Sequence, residues 1–435
     1  MSAVELVSSR SLRRRWGGLL AAAALLVVPL RVAAAEAEEI DPVVDEYDKR
    51  FDVGAGEAAR RLDLQARGGG LQDELKRRLG ADFAGFWFDN DEGEFVVPVL
   101  SKDDAAVASG LFESRDFEGR EYRTALVESS VAELEAAQDR LTAEFAGSLE
   151  KERARSGLDI AANRVVVEIS ADAPAEERAS LKANAGADPV AVQVVEADPS
   201  SFDDEAAACK WTAESASCDP PLHGGVSIWS EPDLTECTAG FAATGNAFGN
   251  SFVMTAGHCL KDGLHWWAET SNGFEAELGG QEGFYYAQGQ ADAGLIRVKS
   301  NNWWVQNWGW RGHIVLWGPP SNPAAVIEPS RPIYGSRSSF AGEYVCHTGI
   351  TTGMSCGTVK QLKVKVAYEP GNTLTQMTKV EGICGDEGDS GGSVWGETYY
   401  AVGIWSGGQN GSCTSHYYSE VRELEQIYGV HVTPW

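Results

Sequence analysis

Two short segments constrain this chain more than any other feature of its sequence. The segment TAGHC at residues 255–259 ends an apolar stretch with His258, and GDSGG at residues 388–392 places Ser390 among glycines. Between them lies Asp292, followed by the strand-like run Leu-Ile-Arg-Val. A serine hydroxyl is a weak nucleophile unless a base removes its proton, and an acid can orient that base. The three side chains therefore form a candidate catalytic set.

The order His258, Asp292, Ser390 is that of the chymotrypsin fold, whereas subtilisins and α/β-hydrolases carry the same groups in other orders. On these motifs the C-terminal half resembles the bacterial branch of that fold, the streptogrisins and alpha-lytic protease. The resemblance implies that Ser390 is the nucleophile, His258 the general base and Asp292 the group that orients the imidazole. It also implies an oxyanion hole formed by the backbone N–H groups of Gly388 and Ser390.

The competing interpretation is a glycine-rich turn and an unrelated core histidine, because the chain has 48 glycines. That interpretation is weakened by the joint occurrence of the motifs in the right order. The spacings are 34 residues from His258 to Asp292 and 98 residues from Asp292 to Ser390. They suit a His–Asp pair on one barrel and the serine on a second. The predicted fold of the mature part is all-β, with two antiparallel six-stranded β-barrels and a C-terminal helix over 419–428.

The first 36 residues have the composition of a secretory signal peptide. Three arginines at 13–15 precede an apolar stretch of 15 residues, and three alanines precede Glu36. We therefore predict a signal peptide over 1–36, secretion to the extracellular space, and no membrane attachment after cleavage. A membrane anchor is the weaker alternative, because the apolar stretch is too short to span a bilayer comfortably.

Eight cysteines fit disulfide bonds in an oxidising compartment, and none lies in a C-x-x-C pair. We expect neither a metal ion nor a cofactor. The resemblance implies three disulfides, Cys237–Cys259, Cys346–Cys356 and Cys384–Cys413. The remaining pair, Cys209–Cys218, is assigned by elimination and proximity.

The negative charge of the chain is concentrated in its middle. The total is −28, to which residues 1–36 contribute +3, residues 37–218 contribute −21 and residues 219–435 contribute −10. No basic patch suggests a nucleic-acid partner. We interpret the acidic segment as a solvated surface rather than a cation site.

The middle segment has the patterns of a folded α/β (α+β) unit. They predict a hairpin over 83–100, a charged helix over 133–155, and a β-α-β unit near 158–198. Residues 79–85 (LGADFAG) and 156–163 (SGLDIAAN) resemble the prodomains of alpha-lytic-type proteases. The resemblance implies a prodomain that assists folding and inhibits the protease until it is removed. A stable accessory domain, such as a substrate-binding module, is the alternative.

The boundary between the two parts is marked by Asp219 and two prolines, which are typical of a linker. The following segment LHGG at 222–225 resembles the start of mature streptogrisins. We therefore predict a prodomain over 37–221 and a serine protease domain over 222–435. A mature start before Cys209 is the alternative, and it would retain the predicted loop between Cys209 and Cys218.

The resemblance also locates a specificity pocket. Its walls would be the residues before Ser390 and the segment 405–408, which would add the substrate as a β-strand. Trypsin-like relatives have an aspartate where this chain has Gly382, and glutamate-specific relatives have a histidine where it has Trp405. The predicted substrate-binding residues are Gly382, Trp405, Ser406, Gly407 and Gly408. Without a charged group at the base, we predict cleavage after small or medium uncharged residues.

Five tryptophans lie between the predicted barrels, and they suit either an aromatic ligand platform or, more simply, packing of the connection: Trp303, Trp304, Trp308, Trp310 and Trp317.

The predicted function is a secreted, monomeric serine endopeptidase that acts on proteins or peptides and is inhibited by its own prodomain. A catalytically silent protease-like scaffold that binds a partner is the alternative. Ser393 is the one departure from the motif, since many relatives have proline there.

Overall fold

The structure is a computed structural model. It describes residues 41–144, 147, 154–170, 173–188, 190–197, 217–218, 222–231, 235–245, 251–261, 263–269, 275–286, 291–298, 302, 311–369 and 372–435, which belong to one compact unit. The predicted signal peptide, Cys209 and four of the five clustered tryptophans lie outside these residues.

The N-terminal part begins with helices that pack on a small sheet. The elements are helices α1 (Pro42–Phe51), α2 (Ala55–Arg67) and α3 (Leu71–Leu79), strands β1 (Trp87–Asp89) and β2 (Glu94–Val99), helix α4 (Lys102–Ser114) and strand β3 (Tyr122–Leu126). The predicted hairpin over 83–100 is confirmed, because β1 and β2 pair antiparallel across the 90–93 turn. Phe86, Phe88, Phe95 and Phe112 fill the core beneath it.

The second half of this part is the predicted β-α-β unit. It contains helix α5 (Val131–Glu144), strands β4 (Ala154–Asp159) and β5 (Arg164–Ser170), helix α6 (Ala175–Ala187) and strand β6 (Val192–Ala197). The prediction is confirmed, since β5 and β6 are parallel neighbours joined through α6. The helix predicted over 133–155 was wrong at its end, because Arg155 lies in β4, opposite Glu168 of β5. Pairing of β4 on both sides outweighs the helical preference of the charged residues.

The first antiparallel sheet of the C-terminal part contains β7 (Ser227–Glu231), β8 (Glu236–Thr238), β9 (Ala242–Gly245), β10 (Ser251–Thr255), β11 (His265–Glu269), β12 (Glu275–Tyr285) and β13 (Ala293–Val298). Residues 239–241 join β8, which pairs with β7, to β9, which pairs with β10. Between them, Ala239 and Gly240 donate backbone hydrogen bonds to Val226 and Met254. This connection brings the two ends of the sheet together, and we call the curved sheet the first barrel.

A two-stranded ribbon, β14 (His313–Trp317) and β15 (Val326–Pro332), connects to the second barrel. The remaining elements are β16 (Tyr344–Gly349), β17 (Gly353–Glu369), β18 (Asn372–Glu381), β19 (Ser393–Gly396), β20 (Tyr400–Gly408), β21 (Ser415–Glu420), helix α7 (Val421–Tyr428) and β22 (Val430–Val432). In the described ranges, β16 pairs with both β17 and β19, so six strands close in the order β16-β19-β20-β21-β18-β17. The all-β prediction, including the C-terminal helix, is confirmed.

Two pairings connect these parts. Strand β4 of the N-terminal part pairs with β17, which extends the second barrel's sheet through β4, β5 and β6. Strand β22 pairs with β9, so the segment after α7 belongs to the first barrel.

The three disulfides implied by the resemblance are confirmed among the described residues: Cys237–Cys259, Cys346–Cys356 and Cys384–Cys413. The predicted partner of Cys218 is Cys209, which lies outside the described residues. In the part of the chain that the structure describes, no helix has the length and apolar character needed to cross a membrane.

Gly240 lies where the two barrels approach each other closely, and it provides a test of this packing. A β-carbon there would lie 2.6 Å from the carbonyl oxygen of Met254 and 2.7 Å from that of Gly391, one in each barrel. Because both neighbours are backbone, we expect Gly240→Ala to lower the free energy of unfolding by about 1–3 kcal/mol, measured by urea denaturation. Gly119→Ala is the control, since a β-carbon at Gly119 meets nothing within 4 Å. Equal urea midpoints for Gly240→Ala and Gly119→Ala would contradict this packing of the two barrels.

Candidate active site

His258 follows a strand that is buried along its whole length. Strand β10 ends at Thr255, and a single helical turn over 258–260 then carries the histidine. The disulfide from Cys259 to Cys237 fixes this turn to β8. The apolar strand and the cysteine of the TAGHC motif thus position the imidazole.

The structure brings His258 and Asp292 together, as the sequence predicts. Their Nδ1 and Oδ2 atoms are 2.7 Å apart, and the backbone N–H of His258 donates to Oδ1 at 2.9 Å. Asp292 lies directly before β13, the neighbour of β10, and is fully buried. One carboxylate therefore fixes both the ring and the backbone of His258.

Asp292 is also held by the second barrel. Ser406 Oγ donates to Oδ2 at 2.6 Å, and Tyr368 Oη lies 3.1 Å from Ser406 Oγ. Ser419 Oγ accepts from the backbone N–H of Asp292 at 2.9 Å and donates to its carbonyl at 3.0 Å. Burial opposes ionisation, but His258 and Ser406 favour the charged form, so the pKa of Asp292 lies below its usual value.

Ser390 lies in a turn that only glycine neighbours permit. Gly388 and Gly391 have φ angles of 96° and 88°, in the left-handed region. A β-carbon at Gly391 would also lie 2.0 Å from Thr255 Oγ1. Ser390 is buried, and its hydroxyl donates to the carbonyl oxygen of Ser406 at 3.3 Å. The Ser390 hydroxyl therefore lies beside Ser406, whose own hydroxyl donates to Asp292.

Both barrels hold this turn. From the first barrel, the hydroxyl of Thr238 donates to the carbonyl of Gly388 at 2.7 Å, and its N–H donates to that of Ser390 at 2.8 Å. From the second barrel, the backbone N–H groups of Thr351 and Thr352 donate to Oδ1 of Asp389 at 2.9 and 3.0 Å. The Thr352 hydroxyl also donates to Oδ2 at 2.7 Å. A buried carboxylate inside the GDSGG motif thus orients the serine turn.

Trp405, predicted to fill the specificity pocket, is fully buried in the second barrel. Its ring stacks on His347, with centroids 4.1 Å apart, and on His416 at 5.0 Å. His347 Nε2 lies 2.7 Å from the carbonyl oxygen of Cys384. Burial lowers the pKa of His347 to about 3, so the ring is neutral at ordinary pH. The indole therefore stacks on two imidazoles, one of which contacts the backbone of Cys384.

The other predicted substrate-binding residues lie on two elements. Ser406, Gly407 and Gly408 form the end of β20, and Gly407 and Gly408 are opposite Tyr417 and His416 of β21. Gly382 follows β18, and its carbonyl accepts a hydrogen bond from Arg50 of α1 at 2.9 Å. A β-carbon at Gly382 would lie 1.7 Å from the Arg50 guanidinium, so helix α1 covers this residue in the full chain.

Several residues of the site have no recognisable motif in the sequence. Their contacts with the site depend on the tertiary fold. The N–H of Thr238 donates to the carbonyl oxygen of Ser390. The hydroxyl of Tyr368 lies beside that of Ser406, and the hydroxyl of Ser419 bonds the backbone of Asp292. Among the described residues, Cys237, His258 and Cys259 are close enough together for a metal ion. The two sulfur atoms form a disulfide and therefore offer no thiolate ligands.

Known proteins match both parts of the chain. Residues 56–109 match the family described as alpha-lytic protease pro N-terminal, and residues 233–427 match the trypsin family. Streptogrisin-C of Streptomyces griseus is 28% identical over 384 residues, which cover 87% of this chain and 72% of that protein. Streptogrisin-D of the same organism is 27% identical over 380 residues, with coverages of 86% and 81%.

Two solved structures are also similar. One is a glutamic acid specific serine protease described as using a novel histidine triad in substrate binding. It is 25% identical, covers 48% of this chain and 100% of its own, and has a TM-score of 0.40. The other, a Nocardiopsis protease, is 26% identical, with coverages of 49% and 98% and a TM-score of 0.38. By its two family matches and its relatives, the chain is a serine endopeptidase similar to the streptogrisins, in which a segment that matches the alpha-lytic prodomain family precedes one that matches the trypsin family.

Proposed function

We propose that the protein is secreted as a preproenzyme and that His258, Asp292 and Ser390 carry its peptidase activity. The observation that carries the proposal is the buried hydrogen-bonded set of His258, Asp292 and Ser406, beside the Ser390 turn. A buried carboxylate that remains charged favours the imidazolium that forms when the serine gives up its proton. The set is therefore suited to activating Ser390.

In the proposed reaction, Ser390 Oγ attacks the carbonyl carbon of the scissile peptide bond while His258 Nε2 takes the hydroxyl proton. The carbonyl oxygen becomes an oxyanion, which the backbone N–H groups of Gly388 and Ser390 stabilise. The imidazolium returns the proton to the leaving amine, and the C–N bond breaks to give an acyl-enzyme. Water, deprotonated by His258, then attacks the ester and regenerates the Ser390 hydroxyl.

The proposed domain boundaries are a signal peptide over 1–36, a prodomain over 37–221 and a mature, monomeric protease over 222–435. The contacts of residues 222–225 support the last boundary. Leu222 is buried, the N–H of Gly224 donates to His313, and that of Val315 donates to Gly224. The first residues of the proposed mature enzyme are thus already part of the protease sheet.

The specificity proposal rests on the position of the Trp405 indole, which stacks on His347 and His416. If Trp405 occupies the base of the pocket, it reduces the volume for the residue before the cleaved bond, which corresponds to the predicted preference for small or medium uncharged residues. The neutral His347 beside it supplies no positive charge for an acidic side chain. The substrates proposed are proteins and peptides that bind along Ser406, Gly407 and Gly408 as an added strand.

Ser390→Ala tests the nucleophile. We expect turnover of a peptide substrate to fall roughly 10⁶-fold, because the variant has no hydroxyl to form the acyl-enzyme. If maturation is autocatalytic, the same variant accumulates as the uncleaved precursor on a denaturing gel. Purified Ser390→Ala protein that retained most of its peptidase activity would contradict the mechanism.

Refolding of the mature segment tests the prodomain. We expect residues 222–435 alone to refold slowly or not at all, because the barrels depend on pairings between strands distant in sequence. Addition of residues 37–218 in trans should restore activity, measured as the yield of active enzyme over time. Rapid and full recovery by residues 222–435 alone, with their disulfides formed, would show that no prodomain is needed.

Trp405→Phe tests the pocket. The smaller ring frees volume, so a peptide library should show a shift toward larger apolar residues before the cleaved bond. We expect the ratio of kcat/KM for a larger to a smaller residue to rise within the roughly 10–200-fold range that one methylene group produces in an apolar pocket. Trp395→Phe is the matched control, because Trp395 is equally buried but packs in a different apolar cluster. A wild-type profile dominated by Arg, Lys or Glu at that position would refute the specificity proposal.

A further inference from the structure

Strand β8 lies at one end of the first sheet, next to the turn that carries Ser390. Among the described strands, the sheet places β8 beside β7 only. On the edge away from β7, the N–H of Thr238 donates to the carbonyl oxygen of Ser390 at 2.8 Å. This edge of β8 therefore faces the nucleophile.

The backbone groups of Glu236 point to the same edge. Successive residues of an antiparallel strand direct their N–H and C=O groups to opposite edges. Ala239, which follows Thr238, donates to the carbonyl oxygen of Val226 on the β7 side. Glu236 is two residues before Thr238, so its N–H and C=O point to the Ser390 side. An extended peptide beside Ser390 can pair with them as an added strand.

The side chain of Glu236 lies on the face of β8 that contacts the proposed oxyanion hole. Side chains two residues apart share one face of a strand. On that face, the Thr238 hydroxyl donates to the carbonyl oxygen of Gly388 at 2.7 Å. At the rise of a β-strand, Glu236 lies about 7 Å farther along β8. A carboxyl group is thus held beside the cleft, close to the reaction centre.

The leaving half of a substrate passes this part of the first barrel. An extended substrate whose acyl half pairs with the end of β20 continues past Ser390 toward the first barrel. There, Cys259 Sγ lies 3.9 Å from the carbonyl oxygen of Ser390, and its disulfide connects it to Cys237. Glu236 is the residue next to Cys237. The first residues after the cleaved bond therefore come within reach of Glu236.

Glu236 and its neighbour Trp229 have the chemistry of a site for a basic side chain. Trp229 of β7 is directly opposite Glu236, so the indole and the carboxyl group share a face of the sheet. Both residues are half-buried. Carboxylates form charge-assisted hydrogen bonds with guanidinium and ammonium groups, and an indole adds a cation–π contact, more often with arginine.

The described elements around Glu236 carry more acidic than basic side chains. Their charged and titratable groups are Glu231 on β7, His265 and Glu269 on β11, His258 and Lys261 after β10, and Asp386, Glu387 and Asp389 before Ser390. Burial raises the pKa of Glu236 to about 7, although the hydroxyl of Ser227, which donates to Oε1, opposes this rise. The charge of Glu236 therefore changes within the neutral pH range.

We propose that Glu236 and Trp229 form a subsite that selects a basic residue, arginine in preference to lysine, among the first two residues after the cleaved bond. This subsite is separate from the pocket at Trp405, which concerns the residue before the cleaved bond. The inference deepens the proposed function and rests on it, because it requires that Ser390 is the nucleophile.

The test compares two peptides that differ only after the cleaved bond, where one has arginine and the other has citrulline, the neutral analogue of arginine. With active enzyme matured from the full chain, we expect kcat/KM for the arginine peptide to be roughly tenfold higher at pH 8.5 and low salt. Titration of His258 affects both peptides equally and cancels in the ratio. At pH 5.5 the ratio should fall toward one, because the carboxyl group of Glu236 is then mostly protonated and neutral.

Glu236→Gln removes the charge and keeps the acceptor for Ser227. The arginine-to-citrulline ratio of this variant should lie below about twofold at both pH values, with kcat/KM for the citrulline peptide unchanged. Glu236→Lys should instead favour glutamate over glutamine after the cleaved bond. Glu231→Gln is the matched control, because Glu231 is an exposed carboxylate on the paired strand β7, and it should keep the wild-type ratio.

A ratio near one for the wild-type enzyme at pH 8.5 would overturn the proposal. An equal loss of preference in Glu236→Gln and Glu231→Gln would also overturn it, since general surface charge would then account for the effect. Failure of the wild-type enzyme to cleave either peptide would contradict the proposed function, whereas cleavage of both without a preference for arginine contradicts this inference alone.

Discussion

The buried carboxylate of Asp292 is the charge on which the geometry of the site depends. A charge removed from water must be compensated by hydrogen bonds or opposite charge. The compensation comes from His258 in the first barrel and from Ser406 in the second. Ser419 of the second barrel also bonds the backbone of Asp292. Any shift of one barrel against the other would break some of these bonds, so the same interaction orients the imidazole and aligns the barrels.

The turn that carries Ser390 is likewise held by hydrogen bonds from both barrels. Thr238 of the first barrel bonds the carbonyls of Gly388 and Ser390, and Thr351 and Thr352 of the second bond Asp389. Glycine is required at 391, because a β-carbon there would overlap Thr255, three residues before His258. The two sequence motifs are therefore in direct contact, although 131 residues separate Cys259 from Ser390.

Much of this arrangement could be predicted because the informative residues are local in sequence. The TAGHC and GDSGG motifs, the three disulfides and the β-α-β unit each leave a short-range pattern or match a known family. The residues that were missed act across the fold: Tyr368 reaches Ser406 from the end of a 17-residue strand. The helix predicted to extend to Arg155 ends earlier, since a strand in that place completes a sheet that no local pattern reveals. The acidic surface predicted to be only solvated includes Glu135, Asp139 and Glu168, which meet lysines 200 or more residues away in the chain.

The pairing of β22 with β9 has a consequence for biosynthesis. Residues 430–432 lie beside residues 243–245, so one side of the first barrel is completed by a segment made almost 190 residues later. Such a pairing cannot form while the chain between them is still being translated, however early the other strands of that barrel emerge. During this interval β9 presents unpaired backbone groups, the condition in which strands join other chains. The prodomain has been synthesised before either barrel, so it is present throughout the period in which the protease domain is most exposed to aggregation.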